Sequence, residues 1–234
     1  MTSALINAQI ERIAPLTDKI IELILAPSTY IDYEAGQYLQ IFSADEYLSY
    51  SIANAPLGSH KYELHIRHVQ QNRCNQTLFA EIKQRGAVNI KLPFGDCHLS
   101  QLKKNAPILF IAGGTGFAPI KAMIEQLLAT DDSRSFELYW SARSQSDLYM
   151  DEKVKQWQSH VNHFRYFPLL SNTNLKDKIA DYVFNQHPHD LNKYEIVIGG
   201  PFDMVYDIRD ALVARGISAN QMYSDAFSFE VKKE

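Results

Sequence analysis

The chain has 234 residues and a mass of 26.8 kDa, enough for one large domain or two small ones. Hydrophobic residues make up 46% and charged residues 21%, which excludes a disordered, collagen-like or low-complexity protein. A net charge of −4 gives no electrostatic reason to expect nucleic acid or an anionic membrane as partner. Cys74 and Cys97 are the only cysteines, so the chain alone cannot build a four-thiolate zinc or iron–sulfur centre. Their spacing is not Cys-x-x-Cys, and ordinary reduced thiols are expected. The eight histidines form no His-x-x-x-His pair, so no metal site is expected. Charge at Glu11 and Arg12 arrives before any apolar signal core, and no apolar run approaches the roughly 18–20 residues that span a bilayer. A cytoplasmic location is the expectation.

The first hundred residues read as short strands over 8–13, 20–25, 38–42, 48–53, 62–67 and 88–92, separated by turn residues. In the run over 62–67, Leu64 and Ile66 fall on one face and His65 and Arg67 on the other. Six such strands predict a small antiparallel barrel. One helix interrupts them over 75–84, closed by Gly86.

After Asn105 the pattern changes. Ile108-Leu109-Phe110-Ile111-Ala112 is a continuous apolar run, as expected of a parallel strand buried on both faces. Gly113-Gly114-Thr115-Gly116 follows, and then a helix with Ile120, Met123, Ile124, Leu127 and Leu128 on one stripe. Pro119 suits the first helical turn. Further strands are predicted over 136–140, 164–169 and 195–198, with helices over 151–159, 176–184 and 204–215. Strands alternating with helices predict a parallel α/β sheet. The polar stretch over 101–105 divides a first domain, residues 1–100, from a second, residues 101–234.

Three segments carry chemistry. The strand–Gly-Gly-Thr-Gly–helix unit offers a tight turn and the free N–H groups of a helix N-terminus, which suit a phosphate. It is neither a P-loop nor the usual Gly-x-Gly-x-x-Gly, because Gly-Lys-Ser/Thr is absent and Pro119 stands at the third glycine position. Taken alone, it could also be a turn with no ligand. Gly199-Gly200-Pro201-Phe202 follows the apolar strand ending at Ile198 and would lie beside the first glycine loop, or simply end that strand. In Tyr50-Ser51-Ile52-Ala53 an aromatic ring and a hydroxyl could line a planar heterocycle, although a Tyr-Ser pair in a strand is also ordinary barrel packing.

These pieces occur in one order with others: Ala35-Gly36-Gln37-Tyr38, Glu63-Leu64-His65-Ile66, Pro93-Phe94-Gly95-Asp96, Leu138-Tyr139-Trp140-Ser141-Ala142-Arg143 and Tyr223-Ser224-Asp225-Ala226-Phe227. Together they span nearly the whole chain, which resembles the ferredoxin–NADP reductase superfamily. Within it the chain is similar to the small NAD(P)H:flavin oxidoreductases, including those that supply reduced flavin to luciferase. The resemblance implies a six-stranded antiparallel flavin-binding barrel followed by a parallel α/β domain for NAD(P)H. It implies that Tyr50 faces the isoalloxazine and that Ser51, the catalytic residue, hydrogen-bonds near flavin N5. Tyr38, Ile52, His65, Ile66, Arg67 and Phe227 complete the flavin set, with Phe227 bordering the ring site. Gly113, Gly114, Thr115 and Gly116 would cradle the dinucleotide pyrophosphate. Gly199, Gly200 and Pro201 would let the nicotinamide pack close, and Arg143 would meet a 2′-phosphate or the adenosine end, unless it is a plain solvated arginine.

Two departures bear on the flavin. Members that retain flavin usually carry Arg-x-Tyr-Ser, and the Arg position is Leu48 here. They also carry Gly-Gly ahead of the barrel helix, where this chain reads Val69-Gln70-Gln71-Asn72. A lost charge-assisted contact weakens binding by about 1.5–3 kcal/mol, so the flavin (FMN, FAD or riboflavin) is expected to exchange as a substrate. Arg67 or Arg73 could supply the missing cation. The expected activity is reduction of flavin by NAD(P)H, with a flavin-dependent monooxygenase or luciferase as acceptor. One alternative is a reductase with bound FAD that serves a separate ferredoxin, oxygenase or deoxysugar-pathway protein. Another is a non-catalytic nucleotide-binding module.

Overall fold

A computed structural model describes residues 5–68, 72–170 and 176–229; of residues 176–178 it describes the backbone alone. The chain divides into two compact units. One takes the residues up to Leu99 together with Lys121–Asp131; the other takes Ser100–Ile120 and the residues from Asp132 onward.

The first unit is built on a six-stranded sheet: β1 (Ile6–Thr17), β2 (Ile20–Pro27), β3 (Tyr38–Ser43), β4 (Glu46–Ser51), β5 (Tyr62–Arg67) and β6 (Ala87–Phe94). Every pairing is antiparallel, in the order β4-β3-β6-β1-β2-β5. The two edge strands meet at one point, where Ile52 bridges Leu64 and the Ala53 N–H donates to the Glu63 carbonyl at 2.7 Å. Alternation puts Leu23 and Leu25, Leu39 and Ile41, Leu64 and Ile66 into one apolar core, against which Leu48 and Tyr50 also pack.

Helix α1 (Arg73–Arg85) starts at Asn72, whose side chain accepts from the Asn75 N–H, and ends at Gly86 in the left-handed conformation, φ +64°. Strand β4 lies two residues earlier than its sequence pattern predicts. It is a hairpin partner of β3, and past Ser51 the chain turns to bridge β5.

In the second unit, β7 (Ile108–Gly113), β8 (Phe136–Ala142), β9 (Phe164–Leu170), β10 (Glu195–Gly199) and β11 (Met222–Tyr223) form a parallel sheet ordered β11-β10-β7-β8-β9. β7 and β8 are buried at every residue, as the unbroken apolar run of β7 requires; in β8 the burial includes Glu137 and Ser141. Four further helices are α2 (Phe117–Ala129), α3 (Asp151–His160), α4 (Lys176–Gln186) and α5 (Phe202–Val213). Of these, α2 contributes its first turn to this unit and the rest to the other. The two-residue β11 is too short to leave a period in the sequence. No helix among the described residues is long and apolar enough to cross a membrane.

Candidate functional site

In the first unit, β3 and β4 bring Tyr38 and Ser51 directly opposite each other. The Tyr38 ring stacks on Phe94 with centroids 5.6 Å apart. The half-buried Ser51 hydroxyl has no protein partner among the described residues, so it is available to a ligand. Tyr50 points the other way. It packs against the apolar core, and its hydroxyl donates to Asn75 Oδ1 at 3.0 Å. Burial pushes that phenol up to about 12, which keeps it a neutral donor. Asn75 in turn donates to the Arg67 carbonyl at 2.6 Å. One buried amide therefore joins β4, β5 and the start of α1.

His65, Ile66 and Arg67 lie in sequence along β5. Ile52 and Ile66 are fully buried core side chains, so what they offer a ligand is main chain. The His65 imidazole lies on the strand face opposite Leu64 and Ile66. It is buried, with Nε2 2.7 Å from Glu63 Oε1, and burial holds its pKa down. Glu63 also accepts from Lys121 Nζ at 3.0 Å. Burial raises the Glu63 carboxyl, but the His65 bond and the Lys121 charge outweigh it and carry its pKa down to about 2. The Arg67 and Arg73 side chains are exposed, and neither is held by a partner among the described residues. Residues 69–71, where the sequence lacks the family's glycines, lie outside the described residues.

In the second unit the two glycine loops are packed against each other. A methyl group on Gly116 would collide with the Gly199 carbonyl and the Gly200 nitrogen; one on Gly199 would collide with the Gly116 carbonyl. Met204 occupies the space where side chains at Gly113 and Gly200 would stand. Gly116 and Gly199 are thus required by backbone packing, before any ligand is considered, whereas at Gly113 and Gly200 the obstacle is the flexible end of Met204. Gly114 differs: its φ is +54°, and nothing lies within 4 Å of where a Cβ would be. It is an open, left-handed position at the entry to a helix, the arrangement that lets a ligand's phosphate approach backbone N–H groups. The Trp140 indole donates to the Gly114 carbonyl at 3.1 Å and stacks on Phe117 at 3.9 Å, fixing the loop.

The Thr115 hydroxyl and the exposed Arg143 guanidinium have no partner among the described residues. Pro201 caps the start of α5. Phe227, in the short turn Asp225–Phe229, is half-buried against the same helix, with the Arg209 guanidinium 5.5 Å from its ring centre and the Tyr206 hydroxyl donating to the neighbouring Ala226 carbonyl at 2.6 Å. Sequence reasoning assigned no role to Trp140, Met204, Asn75, Glu63 or Lys121. Among the described residues no cluster of three or more His, Cys, Asp or Glu is placed to hold a metal.

Residues 110–210 match the oxidoreductase NAD-binding domain family. Over 213 residues the chain is 33% identical to the CDP-6-deoxy-L-threo-D-glycero-4-hexulose-3-dehydrase reductase of Yersinia pestis, covering 89% of this chain but only 64% of that protein. It is 28% identical to a probable flavin reductase of Photobacterium leiognathi, covering 95% of this chain and 98% of that one. A ferredoxin NADP+ reductase from Neisseria gonorrhoeae, solved with FAD and NADP, has the same fold: TM-score 0.78, 18% identity, 93% of this chain and 96% of that one. The chain is thus similar over residues 110–210 to oxidoreductase NAD-binding domains, and it has the fold of a ferredoxin NADP+ reductase.

The glycine contacts predict unequal costs. Gly114→Ala should destabilise by about 1–2 kcal/mol, the strain of a left-handed alanine. Gly116→Ala should cost about 3 kcal/mol or more, because backbone has to move. Urea unfolding of the two variants checks the order. The Glu63 shift predicts acid sensitivity. A carboxylate with a depressed folded pKa contributes stability that is complete above its unfolded value near 4.5 and is lost as pH falls toward about 2. Stability followed from pH 5 to pH 2 should fall less steeply in Glu63→Gln than in the unaltered protein.

Proposed function

We propose that the protein is an NAD(P)H:flavin oxidoreductase whose flavin (FMN, riboflavin or FAD) enters and leaves as a substrate. Its reduced flavin goes to an acceptor such as a flavin-dependent monooxygenase or luciferase, in the cytoplasm. Residues 1–100 take the flavin and residues 101–234 the nucleotide. When bound, the nicotinamide supplies a hydride at C4 and the flavin receives it at N5. The chain's task is to bind, orient and exclude water, which needs no acid–base pair.

Ser51 has the free hydroxyl for holding N5, and Tyr38 stands beside it. Gly114 with Thr115 offers the open loop for the pyrophosphate, and Arg143 an exposed cation for the adenosine end. Gly116, Gly199 and Gly200 act by bringing the two loops together, with Pro201 setting the start of the helix that follows. Ile52, His65, Ile66 and Arg67 form the strand segments along the flavin, Tyr50 anchors its strand through Asn75, and Phe227 borders the ring site.

The observation that carries the free-flavin reading is Leu48, which packs against the apolar core where a flavin-retaining protein would present a cation. The match along nearly the full length of a probable flavin reductase supports it. The second reading, an FAD-bound electron-transfer reductase, is favoured by the higher identity to the Yersinia reductase, of which this chain spans less than two thirds. Gel filtration followed by an NAD(P)H oxidation assay separates the two. A colourless protein that needs added flavin supports the proposal; one flavin retained per chain supports the second reading.

Ser51→Ala should lower turnover roughly 10- to 150-fold, the loss of about 1.5–3 kcal/mol of positioning, with NAD(P)H binding unchanged. Unchanged turnover at saturating substrates removes Ser51 from the mechanism. Leu48→Arg should tighten FMN and FAD about 5- to 30-fold but not riboflavin, less so as salt rises. A strong preference of the unaltered protein for FMN over riboflavin would instead assign the phosphate to Arg67 or Arg73.

A further inference from the structure

Lys121, in the second turn of α2, is 1% exposed. An ammonium has three donors, and all three are used. Nζ donates to the Ala53 carbonyl at 2.9 Å and to Glu63 Oε2 at 3.0 Å, and it pairs with Glu125 Oε1 at 2.9 Å. The other Glu125 oxygen accepts from the Ala55 N–H at 3.3 Å. One helical turn thus grips the Ala53–Ala55 segment at both ends. The other Glu63 oxygen takes the His65 bond, and the Glu63 N–H donates to Asn54 Oδ1 at 2.8 Å.

A buried ion pair is a poor source of stability, because desolvating the charges offsets most of their attraction. A methionine of similar volume would fill the space at less cost. What the ammonium adds is direction: it fixes where the chain leaves Ser51 and how that segment sits against β5.

We propose that Lys121 is a positioning residue for the flavin site, acting through the Ala53 carbonyl on Ser51 and through Glu63 on His65. The assignment rests on the flavin-reductase reading above. It concerns orientation at the reacting flavin and leaves nucleotide binding alone.

The test uses the full chain with Lys121→Met, Lys121→Arg and Glu125→Gln, the last keeping an acceptor for the Ala55 N–H. Folding is checked by circular dichroism. Readouts are kcat, KM for FMN, NAD(P)H binding, and the primary isotope effect with nucleotide deuterated at C4. A 1 Å misplacement near a reacting centre costs on the order of 100-fold. Lys121→Met should therefore lose about 10- to 100-fold in kcat, with a larger isotope effect and nucleotide binding within about twofold. Lys121→Arg should recover most of the loss, and Glu125→Gln should lose about 3- to 10-fold. Should Lys121→Met fail to fold, Glu125→Gln decides by the same readouts. A folded variant whose kcat or isotope effect is unchanged overturns the assignment while leaving flavin reduction standing. An unaltered protein that oxidises NAD(P)H with no flavin overturns both.

Discussion

A lysine ammonium placed out of water must have every proton taken, or the fold pays several kcal/mol for it. That requirement organises the first unit. Lys121 reaches the Ala53 carbonyl and two carboxylates, and each carboxylate holds something else: Glu63 the His65 ring, Glu125 the Ala55 N–H. The edge strands β4 and β5 share little direct pairing beyond the Ile52–Leu64 bridge. The polar network supplies what the ladder does not. Asn75 does comparable work at the other end of this stretch, where it links Tyr50 to the Arg67 carbonyl. Ser51 lies between these two anchor points with its hydroxyl unclaimed, a free group on a fixed support.

The second unit solves a different problem, the close approach of two loops. Gly116 and Gly199 meet backbone to backbone, and Met204 fills the room left by Gly113 and Gly200. Gly116 and Gly199 are therefore explained by contact within the protein. Of the glycines in these two loops, only Gly114 combines an open surface with a left-handed backbone, held in place by the Trp140 indole. On the proposed reading the pyrophosphate is met at Gly114 and Thr115, and the remaining glycines keep that loop where it is.

Features written in local sequence were legible. The run over 62–67 is a strand to the residue, the apolar run from Ile108 is a fully buried parallel strand, and Gly86 ends α1. Features that depend on distant partners were not. Strand β4 stops at Ser51 because the chain there turns to meet β5, which its own residues do not announce. The sequence places Lys121 beside an apolar stripe, where a lysine ordinarily points to solvent. It is buried because Glu63, 58 residues away in the chain, receives it. His65 is buried beside the same carboxylate, two residues along its own strand. The glycine motifs do not give the duty of each residue, since a glycine that admits a ligand and one that admits another loop look alike in sequence.

The central claim is that this scaffold moves a hydride from NAD(P)H to a flavin that is free to exchange. The most direct measurement is anaerobic mixing of gel-filtered protein with NAD(P)H and a several-fold excess of FMN, following the visible absorbance of the flavin and the near-ultraviolet absorbance of the nucleotide together. The account predicts that the whole flavin pool bleaches, many equivalents per chain, with one nucleotide consumed per flavin. Bleaching that stops at one flavin per chain, or nucleotide left unconsumed with every flavin tried, would contradict it.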